Sequence, residues 1–138
     1  MPPALTRVLE TALYSDDLER AKRFYSGLLG LKVLDEGTRL VSLDAGQGTV
    51  LLIFHRGATT SGAETPSGWI PPHDGHGPIH VAFAIGRDDL PAWEKALAGQ
   101  GIAIESRVRW SRGGESIYFR DPDGHSVELA TPGVWATY

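Results

Sequence analysis

The sequence predicts an α+β fold, and three observations carry that prediction. The order strand, helix, three strands occurs twice along the 138 residues. The stretch "YSDDLERAKRFYSGLLGLKV" (14–33) lines up with "GRDDLPAWEKALAGQGIAI" (86–104), so the chain repeats itself. Between glycine- and proline-rich breaks, the apolar residues recur with the period of two that strands require. Each half then reads as an open curved sheet with a helix on one face, leaving the other face to be filled by a partner half.

The elements follow in order. Arg7 to Tyr14 alternates as a strand, with Leu9, Thr11 and Leu13 on one face and Val8, Glu10, Ala12 and Tyr14 on the other. A helix follows, capped by Asp16 with Glu19 three residues on; Leu18, Ala21, Tyr25 and Leu28 form its apolar stripe and Gly30 its stop. Strands over Lys32–Glu36, Arg39–Leu43 and Thr49–His55 complete the first module, residues 7–55. Residues 56–77 are rich in Gly, Pro, Ser and Thr without periodicity, and read as a linker or mobile loop. The second module, 78–131, opens on the strand "GPIHVAFAI". A helix over "RDDLPAWEKALAGQG" is capped by Asp88 or Asp89 and buries Leu90, Trp93 and Leu97. Strands over Ile102–Trp110, Ser116–Arg120 and His125–Ala130 close it, the last two joined by the turn "DPDG". The whole chain, 1–138, reads as one domain.

Composition excludes several classes of function. A net charge of −4 provides no basic field for a phosphate backbone, so nucleic acid is not an expected partner. The absence of cysteine removes thiol catalysis, disulfides and cysteine-ligated zinc. "MPPALTRVLE" lacks the pattern of a signal peptide, and no apolar run reaches membrane-spanning length; the expected setting is the cytoplasm, with no membrane partner.

Three mid-strand residues break the apolar alternation: Glu10, His80 and Glu128. Each has alanine as a neighbour on its own face, Ala12, Ala82 and Ala130 respectively, where a solvated face carries Lys, Thr or Arg. Taken singly, a strand glutamate is exposed or ion-paired and a strand histidine is a satisfied core residue. Taken together they match between the halves, two on the opening strands and the third on the closing strand. An unpaired buried carboxylate costs several kcal/mol, on the order of a small domain's whole stability, so something must compensate it. A divalent cation compensates all three: two carboxylates and a neutral imidazole leave coordination positions for water or substrate.

The segments "ETALYSDDLERAKRFYSGLLGLKV", "GPIHVAFAI" and "SIYFRDPDGHSVELATPG" resemble the vicinal oxygen chelate superfamily, which includes glyoxalase I, extradiol dioxygenases, fosfomycin-resistance and bleomycin-binding proteins. The resemblance runs from about Val8 to Gly133. It implies two βαβββ modules forming curved mixed sheets around a cavity, in agreement with the repeat. It also implies metal ligands at Glu10, His80 and Glu128, one divalent ion per site (Fe, Mn, Ni, Zn, Co or Mg), and a homodimer whose sites are shared between subunits. Glu10 stands where His or Gln is usual, and the further glutamate of glyoxalase I falls near Leu52. Of the fosfomycin pattern, Ser116, Tyr118 and "RGGE" match, whereas Ala12 and Val108 replace its threonine and lysine.

The implied chemistry is electrophilic: the ion holds neighbouring oxygens of a small-molecule substrate, with Glu128 preferred over Glu10 as the catalytic base. One histidine with two carboxylates makes a harder site than the dioxygenase set. Tyr14, Trp110 and Tyr118 are expected to line the substrate pocket with Ser116, and Arg112, with Arg107 and Arg109, to draw an anionic substrate to its mouth. His73, Asp74 and His76 read as a solvated loop able to supply a ligand or a lid, and His55 and His125 as exposed strand ends. Two classes stay open: a metal-dependent lyase, isomerase or dioxygenase, and a metal-free protein that sequesters a small molecule such as an antibiotic.

Overall fold

The computed structural model describes residues 1–138, which divide into two compact units, Met1–His76 and Gly77–Tyr138. The first contains β1 (Glu10–Ser15), α1 (Leu18–Lys22), β2 (Lys32–Glu36), β3 (Leu40–Gly46), β4 (Thr49–His55) and a short hairpin of β5 (Ala63–Thr65) and β6 (Gly68–Ile70). The second contains β7 (His80–Ala84), α2 (Leu90–Gly99), β8 (Ser106–Arg109), β9 (Glu115–Arg120) and β10 (Ser126–Ala130). The main sheets run β1-β4-β3-β2 and β7-β10-β9-β8, the same order twice. In each, the opening strand pairs parallel with the closing strand, and the remaining pairs are antiparallel. The repeat in the sequence is thus a repeat of topology.

Alternation sorts each sheet into two faces. In the first unit Leu13, Val41, Leu43, Leu51 and Ile53 are all 2% exposed or less and share one face with the buried Leu18, Ala21 and Tyr25 of the helical segment. Each such aliphatic side chain contributes about 1.5–3 kcal/mol of burial free energy. The second unit repeats the arrangement with Ile117, Phe119, Val127, Leu129 and, from α2, Leu97. The opposite faces carry the residues of even number, among them Glu10, Ala12 and Tyr14 in one unit and His80, Ala82, Glu128, Ser116 and Tyr118 in the other.

Several expected boundaries shift for identifiable reasons. Arg7–Leu9 is not strand; β1 begins at Glu10 because its partner β4 begins to pair there, Glu10 opposite Val50. The helix cap is Asp17, whose Oδ1 accepts the Arg20 N–H at 3.0 Å, not Asp16, which is held at 3.0 Å by Arg56 from β4's end. After Lys22 the helix widens into a π-helical segment, Arg23–Leu28, and consecutive Phe24 and Tyr25 both become buried, packed edge to face at 5.0 Å. Gly30, at φ +78°, ends it as expected.

In the second unit α2 starts at Leu90 after a 3₁₀ turn, Arg87–Asp89, and Asp89 makes no side-chain cap bond. Of the stretch 102–110 only Ser106–Arg109 pairs as strand. The segment 56–77 is not a structureless linker: it holds the β5–β6 hairpin, and the fully buried Thr59 hydroxyl donates to the His73 carbonyl at 2.5 Å while His73 N–H returns a bond to the Thr59 carbonyl at 3.0 Å. His125 is buried at 1% exposure rather than exposed: its Nδ1 accepts the Ile79 N–H at 2.9 Å, and its own N–H donates to Asp121 Oδ1 across the "DPDG" turn at 2.9 Å.

Candidate metal centre

The ladder of the second sheet decides which polar side chains meet. On β10, Ser126 lies opposite His80 and Glu128 opposite Ala82, so the imidazole is diagonal to the carboxylate on one face. His80 Nε2 and Glu128 Oε2 stand 3.2 Å apart. His80 Nδ1 lies 3.0 Å from the Ser126 carbonyl oxygen, which can only accept, so Nδ1 carries a proton. Nε2 then has either a second proton or a lone pair aimed at a carboxylate. Two lone-pair atoms at 3.2 Å repel unless a cation lies between them. A backbone carbonyl on one nitrogen and an open second nitrogen is how metal-binding histidines are oriented. A proton on Nε2 or a cation between the two atoms would each compensate the pair, so it could offer two donors to a divalent ion. The His80 side chain is 53% exposed and that of Glu128 8%, so the pair meets the solvent on its imidazole side.

Around Glu128 the polar network is closed. Ser116, opposite Ala130 on β9, donates its hydroxyl to Glu128 Oε1 at 2.5 Å, and the Trp110 indole Nε1–H donates to Ser116 Oγ at 2.8 Å. Tyr118 lies directly opposite Glu128 and stacks on His80, ring centroids 6.2 Å apart at 27°. Burial first, and the Glu128 carboxylate second, raise the Tyr118 phenol above its ordinary value, so it stays a neutral O–H. Arg112 is exposed in the turn between β8 and β9. Sequence reasoning did not anticipate the contact of Trp110 with Ser116; an indole six residues before a serine carries no pattern of its own.

The other expected site residues lie in the first unit. Glu10 is exposed at the start of β1. Glu10 belongs to the first unit and His80 with Glu128 to the second, and no group of three or more His, Cys, Asp or Glu side chains that could hold a metal ion is found. Tyr14 is buried, its hydroxyl 2.7 Å from His73 Nδ1, with Phe54 completing an aromatic cluster: His73 lies edge-on to Phe54 at 4.6 Å. Burial first and the Asp74 charge second raise the Tyr14 phenol. Asp74 itself accepts the Gly75 N–H and pairs with His76 at 2.7 Å, and both hold its carboxyl below the ordinary range. The loop residues His73, Asp74 and His76 are thus tied to their own unit.

Comparison with known proteins places this fold. A family model described as the Glyoxalase/Bleomycin resistance protein/Dioxygenase superfamily matches residues 7–129. The chain belongs to that superfamily. The crystal structure of a lactoylglutathione lyase from Agrobacterium tumefaciens is similar over 99% of both chains, with a TM-score of 0.86 and 32% identity. A lactoylglutathione lyase from Haemophilus influenzae is 26% identical over 125 residues, 89% of this chain and 90% of that protein. A metallothiol transferase FosB from Bacillus licheniformis is 45% identical over 64 residues, a match that spans 46% of this chain but only 40% of its relative's length. The superfamily's two-module frame is the one described above, with the His80–Glu128 pair on the second module. No helix is long and apolar enough to cross a membrane.

Proposed function

We propose that the protein is a divalent-metal-dependent enzyme of this superfamily, of the lyase or isomerase type, acting on a small molecule that presents two neighbouring oxygens. The observation that carries the reading is the His80–Glu128 pair, with Nδ1 of the histidine committed to the Ser126 carbonyl and Nε2 turned to the carboxylate 3.2 Å away. His80 Nε2 and Glu128 Oε2 would hold the ion, with Glu10 as the third ligand supplied by a second subunit of a homodimer. When bound, the ion supplies Lewis acidity toward the substrate oxygens and neutralises the charge that develops on them.

The chain's own residues supply the rest. Glu128 is the proton acceptor in this reading, through Oε2 when that oxygen is not holding the ion, because Oε1 is occupied by the Ser116 hydroxyl. Tyr118, its hydroxyl kept protonated by burial and by its hydrogen bond to Glu128, would sit beside the substrate. Trp110 and Tyr118 would line the substrate pocket on this module, and the exposed Arg112 would draw anionic substrates toward it. The lyase or isomerase type is favoured by the lactoylglutathione lyase structure matched over 99% of both chains at 32% identity; a metallothiol transferase matched at 29% identity over 82% of its length supports the competing reading.

The deciding experiment is the metal content of tag-free protein by mass spectrometry, beside His80→Ala. The expected result is a stoichiometric divalent ion in the wild type, with affinity lowered by more than about 100-fold in the variant, beyond what outer-shell changes cost. If neither protein takes up metal after reconstitution with Ni, Zn, Mn, Co, Mg or Fe(II), the enzyme reading fails and metal-free binding of a small molecule replaces it. Iron alone as the retained ion would point to a dioxygenase instead.

A further inference from the structure

We infer that Trp110 is a positioning residue for the Glu128 carboxylate, acting through Ser116 to hold Oε1 and so turn Oε2 toward His80, where an ion would bind. The inference rests on the metal-dependent reading above and goes beyond it by assigning a role to a residue that touches neither the ion nor His80.

An indole N–H can only donate. At 2.8 Å from Ser116 Oγ it occupies an acceptor position of that hydroxyl, and the serine's single proton is directed to Glu128 Oε1 at 2.5 Å. Ser116 is 1% exposed and Glu128 6%, so neither oxygen has water as an easy substitute. Hydrogen bonds in series polarise one another, which strengthens the serine-to-carboxylate bond relative to an isolated one. With Oε1 fixed, the carboxylate plane is fixed, and Oε2 is the edge presented to His80 Nε2. Trp110 is only partly buried, so its N–H could have faced solvent, yet the fold directs it inward to Ser116.

The anchor of the indole is itself constrained. Trp110 N–H donates to the Gly114 carbonyl at 2.8 Å and its carbonyl accepts the Gly113 N–H at 2.9 Å, closing a turn with Gly113 at φ +94°. The C-terminal tail holds that turn: Gly114 N–H donates to the Gly133 carbonyl at 3.1 Å, and the Arg87 guanidinium bonds the carbonyls of both Gly113 and Pro132 at 3.2 Å. A Cβ on Gly133 would stand 2.4 Å from the Gly114 nitrogen, so the approach requires glycine there. The tail, the turn, Trp110, Ser116 and Glu128 form one continuous line of contacts.

The test is calorimetric titration with Ni²⁺ of wild type, Trp110→Phe, Ser116→Ala and Ser116→Thr, with circular dichroism to verify folding. Trp110→Phe keeps the ring and removes the donor; the expected loss is about tenfold in Ni²⁺ affinity, with about 10- to 100-fold for Ser116→Ala, the range for groups that orient a ligand. Ser116→Thr restores the hydroxyl and returns the affinity to near the wild-type value. The double variant Trp110→Phe/Ser116→Ala binds no more weakly than Ser116→Ala alone, since the indole acts only through the serine. Wild-type binding with Trp110→Phe unchanged overturns the inference and leaves the metal reading standing. If Trp110→Phe does not fold, the serine variants decide, and Ser116→Ala binding like wild type overturns the inference. A wild type that binds neither Ni²⁺ nor any other divalent ion overturns both.

Discussion

The two modules share a backbone plan and differ in what they place on it. Glu10 faces Val50 across the first parallel pair as His80 faces Ser126 across the second, and Leu52 stands opposite Ala12 as Glu128 stands opposite Ala82. On the next strand Ser42 lies opposite Leu52 where Tyr118 lies opposite Glu128, and Leu40 opposite Phe54 where Ser116 lies opposite Ala130. The register therefore makes position 52 the counterpart of position 128. The second module turns donors toward that position: Ser116 bonds one carboxylate oxygen and His80 faces the other, whereas the Ser42 hydroxyl donates to the Asp35 carbonyl. The first surrounds it with Leu40, Val50 and Phe54, and spends its polar groups on tying His73 to Tyr14. A fold that duplicates itself duplicates locations, and the chemistry at each is set by the neighbours that can compensate a charge there.

The comparison breaks most sharply at Glu10, the one ionisable residue that the first module would lend to the site. Glu10→Ala is expected to lower Ni²⁺ affinity by at least about tenfold, a ligand counting for no less than the groups that orient ligands. Mixing it with His80→Ala separates two arrangements. If one subunit supplies Glu10 and the other His80 with Glu128, refolding the two variants together in equal amounts restores about a quarter of the metal sites, because half of the dimers are mixed and one of the two sites in each is intact. Calorimetric stoichiometry of zero in the mixture sinks the shared-site arrangement, and unchanged affinity in Glu10→Ala removes Glu10 from the ligand set.

A smaller effect is expected from making the first module imitate the second. Leu52→Glu puts a carboxylate diagonal to Glu10 and opposite Ser42, whose hydroxyl already donates to the Asp35 carbonyl at 3.3 Å. The expected cost is about 1–3 kcal/mol, the penalty of a polar group left without partners in a part-buried position. The urea midpoint should fall accordingly and recover part of the loss on adding Ni²⁺, since two carboxylates on one face then have a cation to share. A variant as stable as the wild type would show that position 52 is already hospitable to charge, and that the contrast between the modules is not one of compensation.

Most of this contrast is legible in the sequence, and the remainder is not for reasons of distance along the chain. The alternation and the "SDDLERA"/"RDDLPAW" repeat reveal two equivalent modules because strand faces and helix starts are local. Glu128, Ser116 and His80 stand out because each is polar in an apolar strand. His125 looked like a strand end, yet it is buried by Ile79 N–H, 46 residues away, which no local pattern reveals. Asp16 and Asp17 are interchangeable as caps on local grounds; Arg56, 40 residues on, takes Asp16 and leaves Asp17 for the helix. The β5–β6 hairpin shows no alternation because Trp69 and Ile70 on β6 are both exposed, so neither face is selected for being apolar. The Trp110–Ser116 bond depends on a turn closed by the C-terminal tail.

The smallest effect distinguishes the two raised tyrosines. Tyr14 and Tyr118 both ionise above the ordinary 10.0, and in both burial is the first cause, but the second cause is Asp74 for Tyr14 and Glu128 for Tyr118. A group whose pKa is raised by folding contributes stability that is complete below its unfolded value and is lost as pH rises through its folded one. Both contributions are therefore present at neutral pH and disappear only in the alkaline range above 10.0. Glu128→Gln removes the second cause in one module alone. In a spectrophotometric titration of phenolate absorbance, the Tyr118 transition, identified by its loss in Tyr118→Phe, should move down toward the ordinary range, while that of Tyr14 stays where it is. Asp74→Asn should do the reverse. Equal movement of both tyrosines in either variant would mean that the two modules share one electrostatic environment, and the division between a ligand-bearing module and an apolar one would have to be abandoned.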